Sequence, residues 1–131
     1  MDILYNLGIE EKEIYNMIEQ CREIKELTQE EIEYKIYLLK ELGCNDRQIR
    51  NVVISNPYYL DRFNEDIINL INKLISYGFE WINILLDSNP YILNKDDFEI
   101  EKYINNRIKD NESLEDIVDD LESNPLLFDE L

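Results

Sequence analysis

The tripeptide Ser-Asn-Pro occurs three times, at residues 55–57, 88–90 and 123–125. Each copy is followed by apolar or aromatic residues: Tyr58-Tyr59-Leu60, Tyr91-Ile92-Leu93 and Leu126-Leu127-Phe128. The prolines lie 33 and 35 positions apart, and the chain's three glycines, Gly8, Gly43 and Gly78, recur at a spacing of 35. Two kinds of punctuation in phase at one period mark an array of supersecondary units. No such unit can bury its apolar face alone, so neighbours must stack.

Between the marks the apolar residues follow a helical period. Short helices are expected over Asp46–Ile54 and Phe79–Asp87, each stopped by Ser-Asn-Pro, because proline disfavours α geometry in the residue before it. Asn45 with Gln48 forms a capping-box pattern at the first of these starts. The apolar pair after each proline should tuck inward as a turn. Longer helices then run back: Glu65–Tyr77, with Ile67, Ile68, Ile71, Leu74 and Ile75 inward, and Phe98–Lys109, with Ile100, Tyr103, Ile104 and Ile108 inward. Gly78 is expected to end its helix in a left-handed cap.

The ends depart from the pattern. The first unit has Gly8 but no Ser-Asn-Pro, so one long helix is expected over Glu10–Leu27, burying Ile14, Ile18, Cys21 and Ile24. Thr28 with Glu31 then opens a helix through Leu42. Ser113 with Asp116 opens the last unit with a similar capping pattern. The expected fold is an all-α, right- or left-curved helical-repeat array of three to four units of about 35 residues, forming a single domain. Residues 1–42 would be N-terminal capping helices, 43–110 two full repeats, and 111–131 an acidic C-terminal capping helix and tail.

Composition narrows the chemistry. Glycine and proline number only three each, too few for a β-sandwich or barrel with many tight turns. Histidine is absent, which removes the commonest general base, the commonest zinc ligand and the standard triads. No phosphate-binding glycine loop, nucleophile elbow or calcium loop is present, so neither catalysis, cofactor nor metal is expected. Cys21 and Cys44 read as buried thiols in a reducing compartment. With no signal-peptide pattern at Met1-Asp2-Ile3-Leu4 and no membrane-length apolar run, a cytoplasmic location is expected.

The run Leu39-Lys40-Glu41-Leu42-Gly43, then Ile49 and Val53, then Asn56-Pro57-Tyr58-Tyr59-Leu60, and finally Leu74 with Tyr77-Gly78-Phe79, resembles mTERF repeats. The resemblance covers roughly residues 36 to 128. It implies a curved helical solenoid of the kind that holds nucleic acid on a basic concave face. The chain departs from that pattern in charge: Arg47, Arg50, Arg62 and Lys73 are scattered, and the repeats are acidic.

The formal net charge is −17. Residues 111–131 carry eight acids and no base, almost half of that excess. Phosphate-backbone binding draws its affinity from Lys and Arg displacing counterions, so a basic protein is the better-matched partner. On the last helix Leu114, Ile117, Val118 and Leu121 form an inward stripe, and Glu112, Glu115, Asp116, Asp119, Asp120 and Glu122 occupy the other faces. These six carboxylates are the candidate partner-binding face. Tyr58, Tyr59 and Tyr91 are expected to pack between units, and Trp81 to enter the core. An exposed Tyr59 or Trp81 would instead serve as an aromatic anchor.

The function expected is a non-catalytic protein-binding module docking its acidic surface on a basic partner. Its sharpest form is a nucleic-acid-mimicking inhibitor of a DNA/RNA-processing or CRISPR-type defence enzyme. In size and acidity the chain bears a general resemblance to small acidic phage inhibitors such as anti-CRISPR proteins. An mTERF-like nucleic-acid-binding protein and a plain helical-repeat adaptor stand as alternatives.

Overall fold

The computed structural model describes residues 1–131 and contains helices and turns but no strand. The helices are α1 (Asp2–Asn6), α2 (Glu11–Gln20), α3 (Gln29–Glu41), α4 (Asp46–Ser55), α5 (Tyr58–Asp61), α6 (Asn64–Ser76), α7 (Ile82–Ser88), α8 (Asp97–Lys109) and α9 (Leu114–Ser123). Short 3₁₀ turns follow α2, α7 and α9 at Arg22–Glu26, Pro90–Asn94 and Pro125–Glu130. No helix is long and apolar enough to cross a membrane.

The repeat is visible in the backbone as well as in the residues. After α1, α3, α6 and α8 the chain takes one left-handed residue: Gly8, Gly43, Gly78 and Asn111, at φ of 88°, 92°, 97° and 67°. Beyond each, an amide returns to a carbonyl five residues back: Ile9 to Leu4, Cys44 to Leu39, Phe79 to Leu74 and Glu112 to Arg107, at 3.1–3.3 Å. This closure satisfies carbonyls that a helix end leaves bare, and an apolar contact between the two residues usually accompanies it. Leu4 and Ile9, Leu39 and Cys44, and Leu74 and Phe79 are all buried and supply that contact. At the fourth turn the same positions hold Arg107 and Glu112, and a salt bridge takes its place.

The expected long helix over Glu10–Leu27 is not formed. α2 ends at Gln20, and Cys21 is extended at φ −140°, ψ 91°. Asn89 and Asn124 have nearly the same conformation, at −144°, 85° and −137°, 78°. The first unit therefore breaks where the others do, with Gln20-Cys21-Arg22 in place of Ser-Asn-Pro. The residues Arg22–Glu26 are good helix formers, which hid the break. Reversing the chain so that α3 can run back outweighs that local preference.

Other expectations needed smaller corrections. α7 starts at Ile82 rather than Phe79, because Phe79 is drawn into the core by the turn before it. On α6 Leu70 is buried, whereas Ile68 and Ile75 face solvent, as do Ile108 on α8 and Leu114 on α9. Met17 is buried where Ile18 was expected to be the inward residue. The boxes at Thr28–Glu31 and Asn45–Gln48 form with both reciprocal bonds. At Ser113 only the hydroxyl's acceptance from the Asp116 amide is made, since Asp116 is one methylene shorter than the Glu of the full motif.

The chain clusters into two compact units, Met1–Arg62 and Phe63–Leu131. In the first, the core of Leu4, Ile14, Met17, Cys21, Ile24, Ile32, Leu39, Ile49, Val53 and Leu60 is tied by polar bonds to the main chain. Tyr59 Oη donates to the Lys35 carbonyl (2.6 Å), the buried Lys35 ammonium donates to the Leu60 carbonyl (3.2 Å), and Arg50 Nη1 donates to the Leu7 carbonyl (2.9 Å). Burial pushes the Lys35 amine down and the Tyr59 phenol well up from their ordinary values. In the second unit α8 packs on α6, and the Pro90–Asn94 turn meets the Pro125–Glu130 turn. There Asn89 Nδ2 donates to the Pro125 carbonyl and to Asp129, each at 3.0 Å.

Candidate functional site

Of the residues proposed from sequence, Tyr59 is overturned as an anchor: it is fully buried, its hydroxyl spent on Lys35. Trp81 goes the other way. It caps α7 from outside the core and is 63% exposed, while Tyr58 and Tyr91 are half exposed.

The six carboxylates of the acidic helix do not form one face. Glu112 and Asp120 turn toward Arg107. The guanidinium donates through Nε to Glu112 Oε2 (2.8 Å), through Nη2 to Glu112 Oε1, and through Nη1 to Asp120 Oδ2 and the Tyr103 hydroxyl (both 2.9 Å). It lies 5.5 Å from the centre of the Tyr103 ring. The bonds to Arg107 hold the Glu112 carboxyl below its ordinary value, and the Glu112 bonds in turn raise the guanidinium's. These two acids belong to the architecture. Asp120 stands 35 positions after the buried Leu85, so charge has replaced an aliphatic side chain at a matching place. Asp116 is exposed in the first turn of α9.

Glu115, Asp119 and Glu122 share a second face, at helical spacings of four and three. They join Tyr77, Gly78, Glu80, Trp81, Leu114 and Val118 around a groove of about 490 Å³. Ile84, exposed, continues the apolar floor with Leu85 and Pro125 on the far side of Trp81. Every charged residue lining the groove is an acid. Glu122 shows the crowding: its carboxyl is pushed up by burial first, then by the charges of Asp119 and Glu80, against a hydrogen bond from the Glu80 amide. Glu80, Leu114 and Ile84 were missed from sequence. The signal was slight: Glu80 precedes Trp81, and the apolar stripe on α9 is one residue wider than its core needs.

A different grouping was also missed. Cys21 Sγ donates to Glu23 Oε2 (3.5 Å), and Asp61 lies with them, the three ligand atoms within 4.8 Å of one another. Burial first, then the bond to Glu23, raises the thiol to about 11, so it is protonated at neutral pH and serves as a donor.

The repeat geometry is now matched by likeness. A model of the mTERF family matches residues 1–118. The chain belongs to the mTERF family. The match takes in the first unit, which lacks Ser-Asn-Pro. No curated protein matches the chain. Four cations of this mTERF-family chain are held within the chain itself. Lys35, Arg50 and Arg107 are bound to its own carbonyls and carboxylates, and Lys73 pairs with Glu101 at 3.8 Å.

Proposed function

We propose that this mTERF-family chain is a non-catalytic docking module that meets a basic protein through the Trp81 groove. The observation that carries this reading is a largely exposed tryptophan set among carboxylates with no cation lining the groove. Exposed aromatic anchors with a charged rim are what interfaces use to fix a partner. Glu115, Asp119 and Glu122 on a rigid helix present negative charge at intervals of about 6 Å. In its most specific form the partner is a cytoplasmic nucleic-acid-processing or defence enzyme whose cationic groove ordinarily takes phosphates. Acidity and small size, shared in a general way with small acidic inhibitors, are what support this form.

The family's nucleic-acid reading has one observation in its favour. Lys102, Asn105, Asn106 and Lys109 border a shallow depression on α8 beside the exposed Phe98. Glu101 shares it, which weakens the attraction for phosphate.

Calorimetric titration of the whole chain with a Lys/Arg-rich peptide and with duplex DNA separates the two. Peptide binding that falls with salt is expected. It should be lost in Glu115→Lys/Asp119→Lys and kept in Glu30→Lys/Glu33→Lys, which makes the same charge change on exposed positions of α3. DNA binding that survives the α9 double change, is lost in Lys102→Glu/Lys109→Glu, and comes without peptide binding would overturn the docking reading.

A further inference from the structure

Two faces of α9 carry related chemistry in different states. On one, an aromatic ring and two carboxylates close around a guanidinium: Tyr103, Glu112 and Asp120 around Arg107. On the other, a larger aromatic and four carboxylates line a groove that no cation of the chain enters: Trp81 with Glu80, Glu115, Asp119 and Glu122. We propose that the groove is an arginine receptor, taking the guanidinium of an arginine on a partner protein against the Trp81 indole and between the Asp119 and Glu122 carboxylates. The proposal rests on the docking reading above and names its anchor.

The choice of arginine follows from the groove's mixed character. Carboxylates alone would take lysine or a hydrated divalent cation as readily. An exposed indole adds a face that a planar, weakly hydrated guanidinium covers well and a compact ammonium covers poorly. Its fork of donors can also reach two carboxylates at once, as Arg107 does on the opposite face. Glu122 adds to the attraction. Burial first, then the charges of Asp119 and Glu80, make it hold its proton more tightly than an isolated carboxyl, and an entering cation relieves the repulsion among the three. A second copy of this chain is a poor occupant, because two molecules of charge −17 repel before they touch.

Trp81 is the only tryptophan, so its emission reports the groove directly. The test titrates the whole chain with two peptides of equal length and charge, free of Trp and Tyr, one with only arginine cations and one with only lysine. Both should perturb Trp81 emission, with the arginine peptide bound about two- to fivefold more tightly. Anisotropy of labelled peptides on Trp81→Ala should show the two affinities equal, and on Trp81→Phe an intermediate preference. Trp81 is largely outside the core, and circular dichroism checks that each variant keeps its helices. Equal binding of both peptides by the unchanged protein, or an arginine preference untouched by Trp81→Ala, overturns the receptor and leaves the docking surface standing. Failure of both peptides to bind removes the docking reading, and the receptor with it.

Discussion

Two glutamates near the ends of α9, Glu112 just before it and Glu122 in its last turn, are shifted in opposite directions. Glu112 is held below its ordinary value by Arg107, so its pairing stabilises the fold above the usual carboxyl range and is lost as pH falls through the depressed value. Glu122 is raised, so the folded state binds its proton more tightly than the unfolded chain does. Its ionised form therefore opposes folding at neutral pH, and stability rises as pH falls from the raised value toward the ordinary 4.5. Thermal unfolding across pH should show Glu122→Gln with a higher Tm than the parent at pH 7 and a flatter profile below it. Glu112→Gln should lower Tm at pH 7; an unchanged Tm would reduce the Arg107 clasp to a surface contact. Tyr59→Phe loses a buried hydroxyl bond and should cost about 1 kcal/mol in urea unfolding. The contrast between Tyr59 and Trp81 was not legible in sequence, since both are aromatics beside a turn. What separates them is the Lys35 carbonyl, 24 positions before Tyr59 and within reach only after folding.

The helix ends were the most legible elements, because their signals are local. Asn45 with Gln48, and Thr28 with Glu31, lie within four residues and needed no tertiary knowledge. The glycines declared the left-handed turns in the same way. Asn111, the fourth of them, was hidden because its site is 33 positions beyond Gly78 and carries a side chain. A Cβ on Gly78 would meet nothing within 4 Å, so Gly78→Ala isolates the backbone strain of φ +97°. Its cost should be about 1 kcal/mol in denaturant unfolding. Asn111→Gly relieves the same strain and should stabilise by roughly half that. A loss of stability in Asn111→Gly would show that its side chain has a further role. The Cys21 break had no such local sign: it replaces both Asn and Pro, and only the shared backbone conformation reveals it.

At the scale of the molecule, the repeat period pointed to an array, and the helical spacing of the apolar residues between its marks made that array all-α. The candidate groove was only half readable. Its acids on α9 stood out as a run of charge, but Trp81 and Glu80 reach them from a loop roughly one repeat earlier, and Arg107 withdrew Glu112 and Asp120 from the set. A net charge of −17 on 131 residues strains the compact state through mutual repulsion, so added sodium chloride should raise Tm steadily over the range where screening grows. A flat response would mean that the carboxylates are spaced widely enough to ignore one another, against the raised Glu122. The four left-handed turns have a kinetic side too. Each closes through bonds between residues three to five apart, so each can form before any distant contact exists. A turn made that early is already present in the transition state, so weakening one should slow refolding while leaving the rate of unfolding nearly untouched.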